Sequence, residues 1–111
     1  MARVVHYRTL IKRLLEQHAQ YVPATGHIEM ETIFDEPHDR YQLMAIGWQG
    51  HRRVHGCVIH IDLKGEKVWI QHDSTDADIA NTLVEMGIPA EHIVLGFQPE
   101  HYRQHTGFAV H

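Results

Sequence analysis

A chain of 111 residues and 12.9 kDa has room for one domain with one core, since domains usually run roughly 100 to 200 residues, and this excludes a two-domain enzyme. Hydrophobic residues make up 43% and charged residues 22% of the chain, with only 4 Pro and 8 Gly, the profile of a folded domain and not of a disordered one. The formal charge of −4 argues against a stand-alone nucleic-acid binder, because phosphate neutralisation supplies most non-specific affinity.

From Val4 to Val22 the residues Val4, Tyr7, Leu10, Ile11, Leu14, Leu15, His18 and Tyr21 recur at steps of three and four, the spacing that lines one face of a helix. The opposite face carries Arg3, Arg8, Lys12 and Arg13 against Glu16 alone, so this helix is basic within an acidic protein. Pro23 and Gly26 are expected to end it. In His27 to Phe34, Ile28, Met30, Thr32 and Phe34 alternate with polar residues as a half-buried strand requires. Asp35 to Asp39 reads as a turn.

Two β-rich runs follow, Tyr41 to Trp48 and Val54 to Leu63, separated by Gln49-Gly50 and the basic His51-Arg52-Arg53. That pattern predicts a hairpin with charges near its tip, and Lys64-Gly65-Glu66 predicts a second one leading into Val68-Trp69-Ile70. Leu43 and Ala45 fall on one face against Met44 and Ile46 on the other, and Val58 falls opposite Ile59 and Ile61. Both faces of the sheet are therefore expected to be covered.

Asp73-Ser74-Thr75-Asp76 is expected to open a second helix with Ser74 or Thr75 as its cap and Ile79, Leu83 and Met86 on its apolar side; Gly87 closes it. Ile93-Val94-Leu95 is a short extended piece, and the stretch from Gly96 to His111 shows no clear period. The expected fold class is α+β: an N-terminal helix, a four-stranded antiparallel meander, a second helix and a short mixed C-terminal segment, all in one domain spanning residues 1–111.

Each group of residues that could carry chemistry also has a structural explanation. The only serine, Ser74, has His72 and Asp73 beside it, but a helix cap accounts for it and no Gly-x-Ser-x-Gly elbow is present. Among the 12 histidines, His51 and His55 are four apart, as are His101 and His105. The first pair sits at a hairpin, where strand geometry separates it by about 13 Å. The second lacks an intervening Glu and a third ligand. Asp62-Leu63-Lys64 places a carboxylate and a lysine on one side of a strand, as a metal-dependent nuclease would need, with Asp39 as a distant second carboxylate. Polar residues bordering a turn explain the same pattern. Phosphate-cradling glycine motifs are absent. A contact patch for DNA or a partner could form from Trp48, His51, Arg52, Arg53 and Arg40 at one end of the sheet.

The longest apolar runs, such as Cys57-Val58-Ile59, fall far short of the roughly 18 to 20 residues of a membrane-spanning helix. The opening Met1-Ala2-Arg3 has no secretory pattern. A cytoplasmic protein without membrane contact is the expectation. The single cysteine, Cys57, reads as a small buried hydrophobe.

Several longer strings carry a likeness: Tyr41-Gln42-Leu43 through Gly47-Trp48-Gln49, Arg52-Arg53-Val54-His55-Gly56-Cys57-Val58-Ile59-His60-Ile61-Asp62, Lys67-Val68-Trp69-Ile70-Gln71, Ile93-Val94-Leu95-Gly96-Phe97 and the ending Thr106-Gly107-Phe108-Ala109-Val110. Together they resemble the XisI family over essentially the full chain. The resemblance implies a small cyanobacterial fdxN element excision controlling factor. Such factors are usually encoded beside a XisH-like partner and are needed, with a separate recombinase, for developmentally timed removal of a DNA element during heterocyst differentiation. No catalytic residue is carried over from that family, and XisH-like proteins resemble nuclease folds, so cutting is assigned to the partner; the residues themselves lead to the expectation of no cofactor and no metal site. The implied protein is a non-enzymatic factor that works through contacts with a XisH-like protein and touches DNA at most indirectly; independently of the resemblance, a sheet apolar on both faces is expected to pack against another subunit, as a homodimer, higher oligomer or hetero-complex. The hairpin residues Trp48, Arg52 and Arg53, read from the sequence and not from the resemblance, are the candidate contacts for a partner or DNA.

Overall fold

The apolar stripe of the first 20 residues has to be buried against something, and in the computed structural model, which describes residues 2–21 and 27–111, it lies on a sheet. Helix α1 (Ala2–Ala19) buries Tyr7, Leu10, Ile11, Leu14 and Leu15. Val4 and His18 are half-buried, and Tyr21, the last residue of the predicted stripe, lies beyond the helix and is exposed. The expected helix end at Val22, Pro23 and Gly26 lies outside the described residues.

Strands β1 (His27–Asp35), β2 (Arg40–Gln49), β3 (Arg52–Lys64) and β4 (Lys67–Asp73) form the antiparallel meander, in spatial order. Helix α2 (Ile79–Glu85) then carries the chain back so that β5 (Ile93–Leu95) adds to β4 in parallel, the connection that a parallel pair requires. The α+β class holds, with the short extended piece serving as a fifth strand that makes the sheet mixed. Val94 and Ala109 form a further parallel bridge, so the C-terminal residues border the edge of β5.

Helices α1 and α2 share one face of the sheet. Tyr41, Leu43, Ile59, Ile61, Val68, Ile70 and Ile93 meet Ile79 and Leu83 and the α1 stripe in a single cluster. The alternation expected for β3 is broken by a β-bulge, since Leu43 pairs with Ile59 while Met44 pairs with Cys57. Val58 is the extra residue, and it packs against the same core as Ile59 and Ile61 instead of facing away from them. The expected cap of α2 is also corrected. Asp78 caps the helix, its carboxylate accepting from the Asn81 amide. The Ser74 hydroxyl donates to the Val58 carbonyl and Thr75 donates to Asp73, so both are spent on the loop before the helix.

An ion pair ties α1 to the end of β2. Arg8 Nε donates to Asp39 Oδ1 (2.9 Å) and to the Tyr41 hydroxyl (3.0 Å), and that hydroxyl donates to the same Asp39 oxygen (2.7 Å). Burial pushes the Asp39 carboxyl up, but hydrogen bonds from Arg8 and Tyr41 and the Arg8 charge together outweigh it and hold the carboxyl below its ordinary value. Burial and the same carboxylate push the Tyr41 hydroxyl up. A depressed native value means the pair stabilises the fold fully above the unfolded carboxylate range, and the benefit fades as pH falls through the native value. Asp39→Asn should therefore cost about 1–2 kcal/mol at pH 7, and the gap to the parent should close in acid, as read by urea unfolding across pH.

Candidate functional site

The side chains that sequence reasoning assembled into catalytic groups are separated by the fold. Asp62 is buried on the sheet face away from α1, whereas Asp39 is held by Arg8 and Tyr41 on the helix side. Lys64 turns to the ring of Trp69 (Nζ to centroid 4.7 Å) and does not share a site with Asp62. Ser74 donates to a backbone carbonyl. Among the described residues, no three His, Cys, Asp or Glu side chains converge as metal ligands.

What the sequence did not announce is the set of partners that Asp62 takes. His60 Nε2 donates to Asp62 Oδ1 (2.8 Å), and Gln71 Nε2 donates to Oδ2 (3.2 Å). A second bulge makes this possible: His60 pairs with His72 and Ile61 with Ile70, leaving Gln71 as the extra residue, turned to the same face as Asp62. A carboxylate orienting an imidazole is half of a nucleophilic site, but the thiol on that face is not engaged by it. Cys57 Sγ donates to the Ile59 carbonyl (3.3 Å), and burial pushes its thiol up, away from the reactive thiolate. The arrangement satisfies a buried charge.

A groove of about 720 Å³ opens beside the end of α1, lined by His18, Tyr21, Met30, Leu43 and Val58 with Thr75 and Asp76 at its rim. His18 Nδ1 is bonded to the Leu14 carbonyl, so the groove walls are mainly apolar.

The predicted contact residues lie at the β2–β3 hairpin. Trp48 pairs with Arg53, and Gln49 with Arg52. The Arg53 guanidinium sits over the Trp48 ring at 5.2 Å, a cation–π contact, and Trp48 is 49% exposed. Arg52, the next residue along the strand, faces the other way, so the two arginines do not form one patch. Arg40 is at the opposite end of β2, roughly 27 Å from Trp48 at about 3.4 Å per residue, and leaves the expected group altogether.

The sheet face that bears Trp48 is covered only in part. Over β4 and β5 the C-terminal segment closes it: Val94 is fully buried and Arg103, from helix α3 (Glu100–Arg103), lies over Trp69 at 5.3 Å. Over β1 to β3 the face stays open, with Ile33 48% exposed and Met44, Ile46 and Cys57 half-buried. Of the second face, the C-terminal segment covers only the β4–β5 end.

The sequence profile of the XisI protein family matches residues 1–110. The chain belongs to the XisI family. Its fold matches the crystal structure of a XisI-like protein from Anabaena variabilis ATCC 29413, with a TM-score of 0.90 and 42% identity over 97% of this chain and 99% of that one. It also matches the fdxN element excision controlling factor XisI from the same organism, with a TM-score of 0.80 and 30% identity over 98% and 99%. Among curated proteins there is no match. Since the XisI family likeness runs the whole length of the chain, helix, meander and C-terminal segment all belong to the shared architecture.

Proposed function

We propose that this XisI-family chain is a non-enzymatic controlling factor for developmentally timed, site-specific excision of a DNA element, acting in the cytoplasm through contacts with a XisH-like partner. The observation that carries the reading is the full-length match to a protein described as an fdxN element excision controlling factor. Two physical features support it. The candidate catalytic groups are split between the two faces of the sheet or spent on structural hydrogen bonds. Among the described residues no helix is long and apolar enough to cross a membrane. A chain with dispersed reactive groups and an open apolar face acts by presenting a surface.

Co-expression with a XisH-like protein encoded beside it should yield a complex that survives gel filtration. Independent elution of the two purified proteins at high concentration and low salt would defeat the reading. The alternative is direct DNA contact through the hairpin, which has one observation in its favour, the exposed Trp48 stacked on Arg53. In that case a low-salt mobility shift would appear and would weaken steeply with salt and with Arg52→Glu or Arg53→Glu. Under the protein-contact reading DNA mobility stays unchanged.

A further inference from the structure

The two edges of the sheet are closed unequally. β5 has only 3 residues, and its outer side is met by the C-terminal segment at the bridge of Val94 with Ala109. β1 has 9 residues and pairs with β2 alone, in a register that runs from His27 with Trp48 to Asp35 with Arg40 without a bulge. Among the described residues, no backbone hydrogen bond joins its outer side to another part of the chain. Edge strands are usually blunted by proline, a bulge or short length, and β1 has none of these. It carries charge instead. Glu29 and Glu31 are exposed, point away from α1 and form no ion pair among the described residues. On the opposite face of the strand Ile28, Met30, Thr32 and Phe34 are half-buried, and Met30 and Phe34 pack against the core.

We propose that β1 takes up an extended segment of another protein, with Lys or Arg at alternate positions and apolar residues between them, as an added strand. The outward N–H and C=O groups of β1 supply its hydrogen bonds, which is how exposed sheet edges capture peptides. Alternation then sets the basic side chains beside Glu29 and Glu31 on the open face, and the apolar ones beside Met30, Thr32 and Phe34 on the helix face. The same two carboxylates argue against a second copy in this place. The equal edge of another copy can extend the sheet only antiparallel. Every such register that keeps the faces in phase and pairs more than half of β1 sets acid against acid: Glu29 on Glu29, Glu29 on Glu31, Glu31 on Glu31, Glu29 on Asp35 or Glu31 on Asp35. Like charges directly opposite destabilise a strand pair. Charge thus closes the edge to the chain itself and leaves it open to a basic strand. The inference does not rest on the controlling-factor reading and holds whichever protein supplies the strand.

The probe is a synthetic peptide as long as β1, capped at both ends, in which valine and lysine alternate. Added to the full chain at low salt, it should slow hydrogen exchange of the β1 amides, read residue by residue by NMR, and leave those of α2 unchanged. Glu29→Lys with Glu31→Lys should weaken the peptide about tenfold or more. Asp76→Lys with Glu85→Lys, the same change of charge at exposed positions around α2, should leave its affinity unaltered. All four positions are exposed, so circular dichroism matching the parent shows that each variant is folded. Strand addition also uses one edge of the peptide and not the other. Of two versions N-methylated on the valines or on the lysines, one should bind as the parent peptide does and the other should not bind. No protection of β1 at millimolar peptide, equal binding by the two charge variants, tolerance of both methylated peptides, or equal binding of a peptide with glutamate in place of lysine would each overturn the proposal. Co-elution with a XisH-like protein is a separate measurement, so the controlling-factor reading stands or falls on its own.

Discussion

Leu14→Ala should lower the free energy of unfolding by about 2–5 kcal/mol, the cost of emptying a leucine-sized space in a packed core. Leu14 is fully buried and sits midway along the four leucine and isoleucine contacts by which α1 is seated, between Leu10 and Ile11 on one turn and Leu15 beside it. A domain of this size has a total stability of only about 5–15 kcal/mol, so the loss is a large share of what holds the helix on the sheet. Val5→Ala is the control, since Val5 is 57% exposed on the opposite side of the same helix and should change stability by no more than about 0.5 kcal/mol. Urea unfolding of both variants separates burial from helix propensity, because alanine is the better helix former at either position. Equal, small effects at the two sites would mean that α1 is not seated on the sheet as described.

The helix and the four meander strands were legible because their signals are local. The steps of three and four in α1 survive as the buried face, and the alternation of Ile28, Met30, Thr32 and Phe34 survives as the half-buried side of β1. What failed to show in the sequence depends on pairing. Nothing in Cys57-Val58-Ile59 says that one residue is left out of register, yet that bulge decides that Val58 joins the core. The bulge at Gln71 likewise decides that a glutamine reaches Asp62, and with it that Asp62 is a buried, satisfied carboxylate and not a partner of Lys64. The cap of α2 was misplaced because Asp73, Ser74, Thr75 and Asp78 are all good cap residues, and only the fold shows that the first three are engaged in the loop. For the candidate site, the residue types at the hairpin were visible and their division was not. Arg52 and Arg53 look like one basic cluster in a string and lie on opposite faces of a strand. The rows of the open face have the same origin: Glu29, Ile46 and His55 stand side by side only once two registers are known.

Gly47→Ala is expected to be the other severe substitution. A Cβ at this position would lie 1.9 Å from the His27 carbonyl oxygen and 2.8 Å from the Ile28 Cα, both of them backbone atoms of the neighbouring strand that cannot rotate away. The residue also has φ +156, a conformation L side chains rarely adopt. To admit the methyl group, β1 has to move off β2 near the pairs His27 with Trp48 and Ile28 with Gly47. Overpacking and backbone strain together should cost about 2–4 kcal/mol. Gly50→Ala isolates the clash, for Gly50 has φ +63 but open space around it, and its alanine should cost only about 1 kcal/mol for the left-handed conformation. The difference between the two variants in urea unfolding measures how closely β1 approaches β2. Hydrogen exchange adds a spatial reading: in Gly47→Ala the amides at the start of β1 and the end of β2 should lose protection while those of β4 and β5 keep theirs.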